Sequence, residues 1–150
     1  METRAVKKSV IINAGAQDVW KVLTDPVEIK KFLFGTDVKT DWKEGSPILY
    51  SGLWKGREYA DKGTILKIEP NKILEHTHWS SLSGTEDRPE NYFRVIYELE
   101  EKEHQTVLSV TQKGLMSKDS YDHSAENWQT VLDHIKQIVE KEVVTPPLVS

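Results

Sequence analysis

The feature that most constrains the fold is an apolar stripe near the carboxyl end of the chain. Between Ser120 and Val144, apolar residues recur at alternating steps of four and three. They are Tyr121, Ala125, Trp128, Leu132, Ile135 and Val139, and Val131 and Ile138 widen the stripe. This spacing predicts one long amphipathic helix with a single core-facing side. Pro146-Pro147 is expected to end that helix.

The amino-terminal part of the chain predicts a strand followed by two short helices. β-branched residues between Arg4 and Asn13 indicate a first strand. From Gln17 to Thr24 the apolar spacing becomes helical. Asp25-Pro26 interrupts that helix, and a second short helix is expected to follow and to end at Gly35.

The middle of the chain predicts consecutive strands joined by short turns. Strands are expected at residues 48–54, 64–69, 73–79, 92–100 and 106–112. Turn-forming residues separate them, and Ser80 to Pro89 is polar enough to be an exposed loop. Short connections favour antiparallel pairing over crossovers. The predicted fold is therefore α+β, with a curved antiparallel sheet wrapped around the long C-terminal helix.

Composition limits the number of domains and the class of protein. A chain of 150 residues fits a single domain, 1–150. The absence of cysteine removes disulfides, thiol nucleophiles and thiolate metal sites, and it fits a cytoplasmic protein. A net charge of −4 argues against a nucleic-acid partner. No apolar run approaches the roughly 20 residues that span a bilayer. The oligomeric state is left open.

Short motifs in a fixed order resemble the START-like (helix-grip, Bet v 1-like) superfamily, and within it the branch related to the activator of heat-shock-protein-90 ATPase. The resemblance covers residues 8 to 142. The motifs are Ile12-Asn13-Ala14, Asp18-Val19-Trp20, Thr24-Asp25-Pro26, Trp42 to Pro47, Gly63-Thr64-Ile65, Glu69-Pro70, Tyr97 to Glu100, Thr111-Gln112 and Asn127-Trp128. It implies a helix-grip fold with an interior cavity. Members of the superfamily carry lipids, hormones and polyketides, and a few are cyclases. A chaperone partner follows only by analogy, because the eukaryotic activator has a further N-terminal domain that we do not expect here.

Strand alternation predicts which side chains face the long helix. In the strand from Ile73 to Trp79, His76 and His78 share a face with Leu74, and pairing would bring them near Tyr97 and Gln112. Aromatic residues with the same parity, together with Trp128 on the helix, suit a pocket for a ring-bearing ligand and suit an ordinary core almost as well. The candidate lining residues are Tyr50, Trp54, His76, His78, Phe93, Tyr97 and Trp128.

The chemistry of these residues leaves three functions open. His76 and His78 lack the further ligands that a metal site needs, so neither a metal nor a cofactor is predicted. Asp37, Asp41 and Asp61 lie near predicted turns, where carboxylates usually face water. The favoured hypothesis is a non-enzymatic protein that binds a hydrophobic or aromatic small molecule. The alternatives are an interaction module that modulates a chaperone ATPase, and a cyclase or hydrolase that uses His78.

Overall fold

The computed structural model of the protein describes residues 2–144, which form seven strands and three α-helices. In chain order the elements are β1 (Glu2–Ile12), α1 (Ala16–Leu23), α2 (Pro26–Phe32), β2 (Asp37–Thr40), β3 (Pro47–Trp54), β4 (Arg57–Glu69), β5 (Ile73–His78), β6 (Phe93–Lys102), β7 (Gln105–Met116) and α3 (Lys118–Val144). A single 3-10 turn, Pro89–Asn91, precedes β6. The predicted helix end at Pro146-Pro147 lies outside the described residues.

All seven strands form one antiparallel sheet in the order β1-β7-β6-β5-β4-β3-β2. Each of the strands β2 to β7 pairs with its neighbour in sequence, as short turns require. The first strand, β1, lies at the opposite edge from β2, and all of its residues pair with β7. An irregularity in β4 between Ile65 and Lys67 shifts its register with β5, and such bulges increase the bend of a sheet. The α+β prediction is confirmed.

The two short helices connect the two edges of the sheet. Asp25 caps α2 by accepting a 2.9 Å hydrogen bond from the backbone N–H of Val27, with Pro26 in the first helical position. The start of α1 has no cap of its own, and Glu101 from the β6–β7 hairpin instead accepts a 2.7 Å bond from the N–H of Ala16. A carboxylate there also complements the helix dipole. This hairpin therefore fixes the start of α1.

The core lies between the carboxyl half of α3, the short helices and the concave face of the sheet. The helix contributes Val131, Leu132, Ile135 and Val139, each with 1% of its surface exposed or less. The facing strands contribute alternate residues, such as Val95, Tyr97 and Leu99 in β6 and Thr106, Leu108 and Val110 in β7. These residues alternate along each strand, so they share the face of the sheet that packs against the helix.

One strand is longer than predicted. The strand predicted at residues 64–69 corresponds to β4, yet β4 begins at Arg57 and pairs with β3 through the whole segment before Thr64. The predicted turn at 55–58 is correspondingly shorter, with Lys55 and Gly56 in the left-handed region. As a result residues 57 and 58, predicted to lie in that turn, are part of the sheet, and so are residues 59–63.

Candidate functional site

A cavity of about 760 Å³ lies between the amino-terminal half of α3 and the sheet. Strands β3 to β7 form its wall, α3 covers it, and the loops after α2 and after β5 reach its edge. Ligand pockets in proteins typically enclose 300–1,000 Å³, so the volume is that of a binding site for a small molecule. Its opening also includes exposed apolar side chains, namely Phe34, Leu53, Trp54 and Leu115.

All seven residues selected from the sequence line this cavity. They are Tyr50 and Trp54 of β3, His76 and His78 of β5, Phe93 and Tyr97 of β6, and Trp128 of α3. Their exposure differs with depth: His76 is 3% exposed and Tyr97 6%, whereas Trp54 is 54% exposed at the end of its strand. That these residues bind a ligand stays a prediction, which we take up below.

His76 lies at the bottom of the cavity, and its tautomer is determined by its neighbours. Its Nδ1 lies 2.8 Å from the carbonyl oxygen of Thr77, which can only accept, so Nδ1 carries a hydrogen. The pKa of His76 is lowered to about 4, chiefly because burial disfavours the charged ring and secondarily because of His78. The ring is therefore neutral near pH 7. Its Nε2 accepts from the hydroxyl of Tyr50, 3.4 Å away.

Two buried tyrosines flank this histidine. The ring centroids of Tyr50 and Tyr97 lie 6.0 and 6.4 Å from that of His76. Burial raises the pKa of both phenols, and for Tyr50 the neighbouring Tyr97 and Asp61 add to the effect. Both hydroxyls consequently keep their protons. A smaller cavity of about 20 Å³ on the core side shares these three residues as lining. They form the layer between the core and the larger cavity.

Trp128 is the point at which α3 contacts the cavity wall. Its indole Nε1–H donates a 2.6 Å hydrogen bond to Oε1 of Gln112 on β7. Its ring meets that of Tyr97 edge to face, with centroids 6.0 Å apart and an interplanar angle of 83°. Both contacts orient the indole, so one of its faces is held as a fixed wall of the cavity.

The position of Asp61 differs from the one expected from the sequence. The carboxylate was expected to face water near a turn, but it lies inside the sheet on β4, opposite Tyr50 of β3. Its side chain is 14% exposed, and Oδ2 lies 3.3 Å from Nε2 of His78. His78 thus has an acidic partner that the sequence analysis did not identify. Asp61 lies four residues before the buried Ile65, so the two side chains share a face of the strand. This spacing could have predicted that Asp61 points inward.

Gly63 positions the two histidines. A Cβ at this position would lie 1.7 Å from the carbonyl oxygen of Thr77 and 3.3 Å from the backbone nitrogen of His78. Only glycine allows β4 and β5 to approach so closely. Thr77 is also held from its other side, because its Oγ1 accepts a 2.9 Å hydrogen bond from the N–H of Thr64.

The loop between β5 and β6 borders the opening of the cavity. Hydrogen bonds tie it to the sheet: the indole of Trp79 donates to Thr85, and the N–H of Ala60 donates to Ser81. Lys62 and Asp87 form an ion pair at the same edge. The loop thereby has a defined position next to the cavity.

Within residues 2–144, no three histidine or acidic side chains converge in a way that could hold a metal ion. The same part of the chain has no helix that is long and apolar enough to cross a membrane.

The sequence pattern of one protein family matches residues 13–140, which is most of the chain. The chain belongs to the activator of Hsp90 ATPase homolog 1-like protein family. The resemblance drawn from the short motifs is thus confirmed. No protein with a curated description matches the sequence significantly.

Solved structures of similar proteins share the fold of this family member. Protein ChR145 from Cytophaga hutchinsonii is 39% identical, with 97% of this chain and 100% of that chain covered and a TM-score of 0.82. The Aha1 dimer from Colwellia psychrerythraea is 21% identical, with coverage of 91% and 96% and a TM-score of 0.73. Protein DynU16, from the dynemicin biosynthetic locus, is 15% identical; 92% of this chain matches 48% of DynU16, with a TM-score of 0.76. The last two likenesses concern the fold alone.

Proposed function

We propose that the protein binds an apolar, ring-bearing small molecule in the cavity beneath the amino-terminal half of α3. The observation that carries this proposal is the cavity of about 760 Å³ with aromatic walls. Burying apolar ligand surface contributes roughly 25 cal/mol per Å², and rigid aromatic walls gain it with little loss of side-chain freedom. The superfamily resemblance, with its lipid- and polyketide-carrying members, supports the same function.

The polar groups inside the cavity suit orientation of a ligand. Asp61 and His78 lie on one side, while the hydroxyl of Tyr50 and the ring of His76 form the bottom. Pockets of this kind hold a ligand by apolar contact and orient it by a few polar contacts. The exposed apolar side chains at the opening offer further surface for the ligand to cover.

Binding can be tested by titrating the protein with phenolic polyketides, flavonoid-like phenolics and lipids while recording backbone amide chemical shifts and thermal unfolding. A ligand at 100 times its dissociation constant stabilises a protein by about 2.7 kcal/mol, which would raise Tm by roughly 5–10 °C at this chain length. Amide shifts should cluster on β5, β6 and the start of α3.

A matched pair of variants distinguishes the cavity from the surface. Ser124 lines the cavity, whereas Thr130, further along α3, is exposed and does not. Ser124→Trp should place an indole in the cavity and strongly weaken the ligand response with the fold retained, and Thr130→Trp should bind as the unchanged protein does. Absence of any response across the three ligand classes would contradict the proposal, as would unchanged affinity in Ser124→Trp.

The family description supports a second candidate, modulation of a chaperone ATPase. If this function holds, adding the protein should change ATP turnover by an Hsp90 chaperone, and Ser124→Trp should leave that change intact because a protein surface would carry it. Unaltered turnover together with no co-purification of the two proteins would reject this candidate and leave the cavity proposal untouched.

A further inference from the structure

In the described chain, the lining residues of the cavity include aspartates but no lysine or arginine. The two carboxylates are those of Asp61 and Asp119, and three histidines line the cavity with them. Moving an anionic group out of water costs several kcal/mol unless a cation or several hydrogen-bond donors receive it. A carboxylate or sulfate ligand would meet carboxylates here instead.

The carboxylate of Asp61 has unused hydrogen-bonding capacity. Its Oδ2 lies 3.3 Å from His78, but Oδ1 is buried without a partner, the only side-chain nitrogen or oxygen in residues 2–144 of which this is true. An ionised carboxylate can accept about four hydrogen bonds. Buried polar atoms are nearly always paired, and an unpaired one raises the free energy of the folded state. Asp61 also lines the cavity, and a carboxylate oxygen near one donor can accept a second hydrogen bond from the cavity side.

The two tyrosines nearest to Asp61 have donated their hydrogens elsewhere. Tyr50, opposite Asp61 on β3, donates to Nε2 of His76, which has no hydrogen of its own because Nδ1 carries it. Tyr59, which shares the face of Asp61 on β4, bonds to Thr36. Thr36 gives its own hydrogen to the carbonyl of Leu33 and so accepts from Tyr59.

We infer that the ligand supplies a donor that the neighbouring side chains do not: it is an apolar molecule with a hydroxyl or similar hydrogen-bond donor directed at the accessible side of the Asp61 carboxylate, and anionic ligands are rejected. This inference rests on the proposed function and specifies its ligand class. Asp61 selects the ligand by accepting a hydrogen bond, and His78 positions Asp61 from the other side.

Three compounds with one ring system test the inference: estrone, which has a phenolic hydroxyl, its 3-methyl ether, which can only accept, and its 3-sulfate, which is an anion. Binding is measured by calorimetry, with amide chemical shifts to locate each compound. A hydrogen bond to a charged acceptor is worth enough to separate estrone from its ether by about tenfold or more in Kd. The sulfate should bind most weakly.

Replacing the acceptor should remove this discrimination. In Asp61→Asn the gap between estrone and its ether should shrink to about threefold or less, because a neutral acceptor bonds more weakly. The sulfate should bind more tightly than before. Asp133→Asn is the matched control, since it removes the same charge from an exposed position on α3 outside the cavity. It should leave all three affinities unchanged.

Each outcome gives a decision. Equal binding of estrone and its ether by the unchanged protein overturns the inference, as does a gap that persists in Asp61→Asn, and both leave the proposed function intact. If none of the three compounds binds, the inference is overturned, because estrone has the apolar rings and the donor that it specifies; the proposed function is decided separately by the screen of the three ligand classes. Should Asp61→Asn fail to fold, the three affinities of the unchanged protein still decide.

Discussion

The two halves of α3 lie on the same sheet but in different surroundings. The carboxyl half inserts Val131, Leu132, Ile135 and Val139 into the core. The amino-terminal half presents polar residues to the cavity, namely Asp119, Ser120, His123, Ser124 and Asn127. Polar side chains gain little from contact with an apolar wall, so Trp128 is the main attachment of this half of the helix to the sheet. One continuous helix can thereby close the core at one end and keep a space open at the other.

The sheet shows the same division. At the closed end, strands present Leu99 and Leu108 to the helix, whereas toward the cavity β4 presents Tyr59 and Asp61. Stability should therefore depend on the closed end and selectivity on the open end.

The largest expected effect comes from replacing one side chain in each half of α3 with alanine. Leu132→Ala removes a fully buried side chain and should lower the free energy of unfolding by about 2–5 kcal/mol. Tyr121→Ala, in the partly exposed first turns, should cost about 1 kcal/mol or less. Urea unfolding of both variants measures the difference. Similar losses at the two positions would show that the halves of the helix contribute equally.

Acid should destabilise the folded protein through His76, at the bottom of the cavity. The pKa of His76 is about 4 in the folded protein against 6.5 without the fold. As pH falls from 6.5 to 4, the unfolded chain takes up a proton that the folded protein does not, so the free energy of unfolding falls, by at most about 3 kcal/mol from this group. Urea unfolding at several pH values should show a smaller acid loss in His76→Gln. Parallel pH profiles for the two proteins would contradict this assignment.

The smallest effect is expected where the open end is attached to the sheet. Trp128→Phe keeps an aromatic ring but removes the hydrogen bond to Gln112, and the net worth of such a bond is about 0.5–1.5 kcal/mol. Gln112→Leu alone should cost at least as much, because it leaves the indole N–H without a partner. The double variant should recover part of the loss. Strictly additive losses in thermal unfolding would indicate that the two side chains act independently.

The sequence predicted the closed end better than the open end, and for a physical reason. A helix or strand that packs against a core repeats apolar residues with its own period, as α3, β6 and β7 do. The first half of β4 faces the cavity and has Tyr59, Asp61 and Gly63 on its inner side, so the apolar alternation that identifies a strand is absent. The residues missed, Tyr59 and Asp61, add to the polarity that His76 and His78 give the cavity.

Parity was enough to group six of the seven aromatic and histidine residues within their strands, because side chains two apart on a strand share a face, and the apolar stripe of α3 added Trp128. The pairing of His78 with Asp61 was not accessible in this way, since it depends on the register between β4 and β5. That register is set by a bulge after Ile65 and by the close contact at Gly63. The volume of the cavity likewise depends on tertiary distances that spacing does not contain.

Thr77 gives the contact between β4 and β5 a practical consequence. Its carbonyl determines which nitrogen of His76 carries the hydrogen, while its own side chain is anchored to β4 through the N–H of Thr64. Thr77→Val would remove this hydrogen bond. The change would affect the position of His76 in the cavity, although Thr77 itself does not line the cavity. Laboratory evolution toward a new ligand would then be expected to accumulate changes on the convex surface of the sheet as well as among the lining residues.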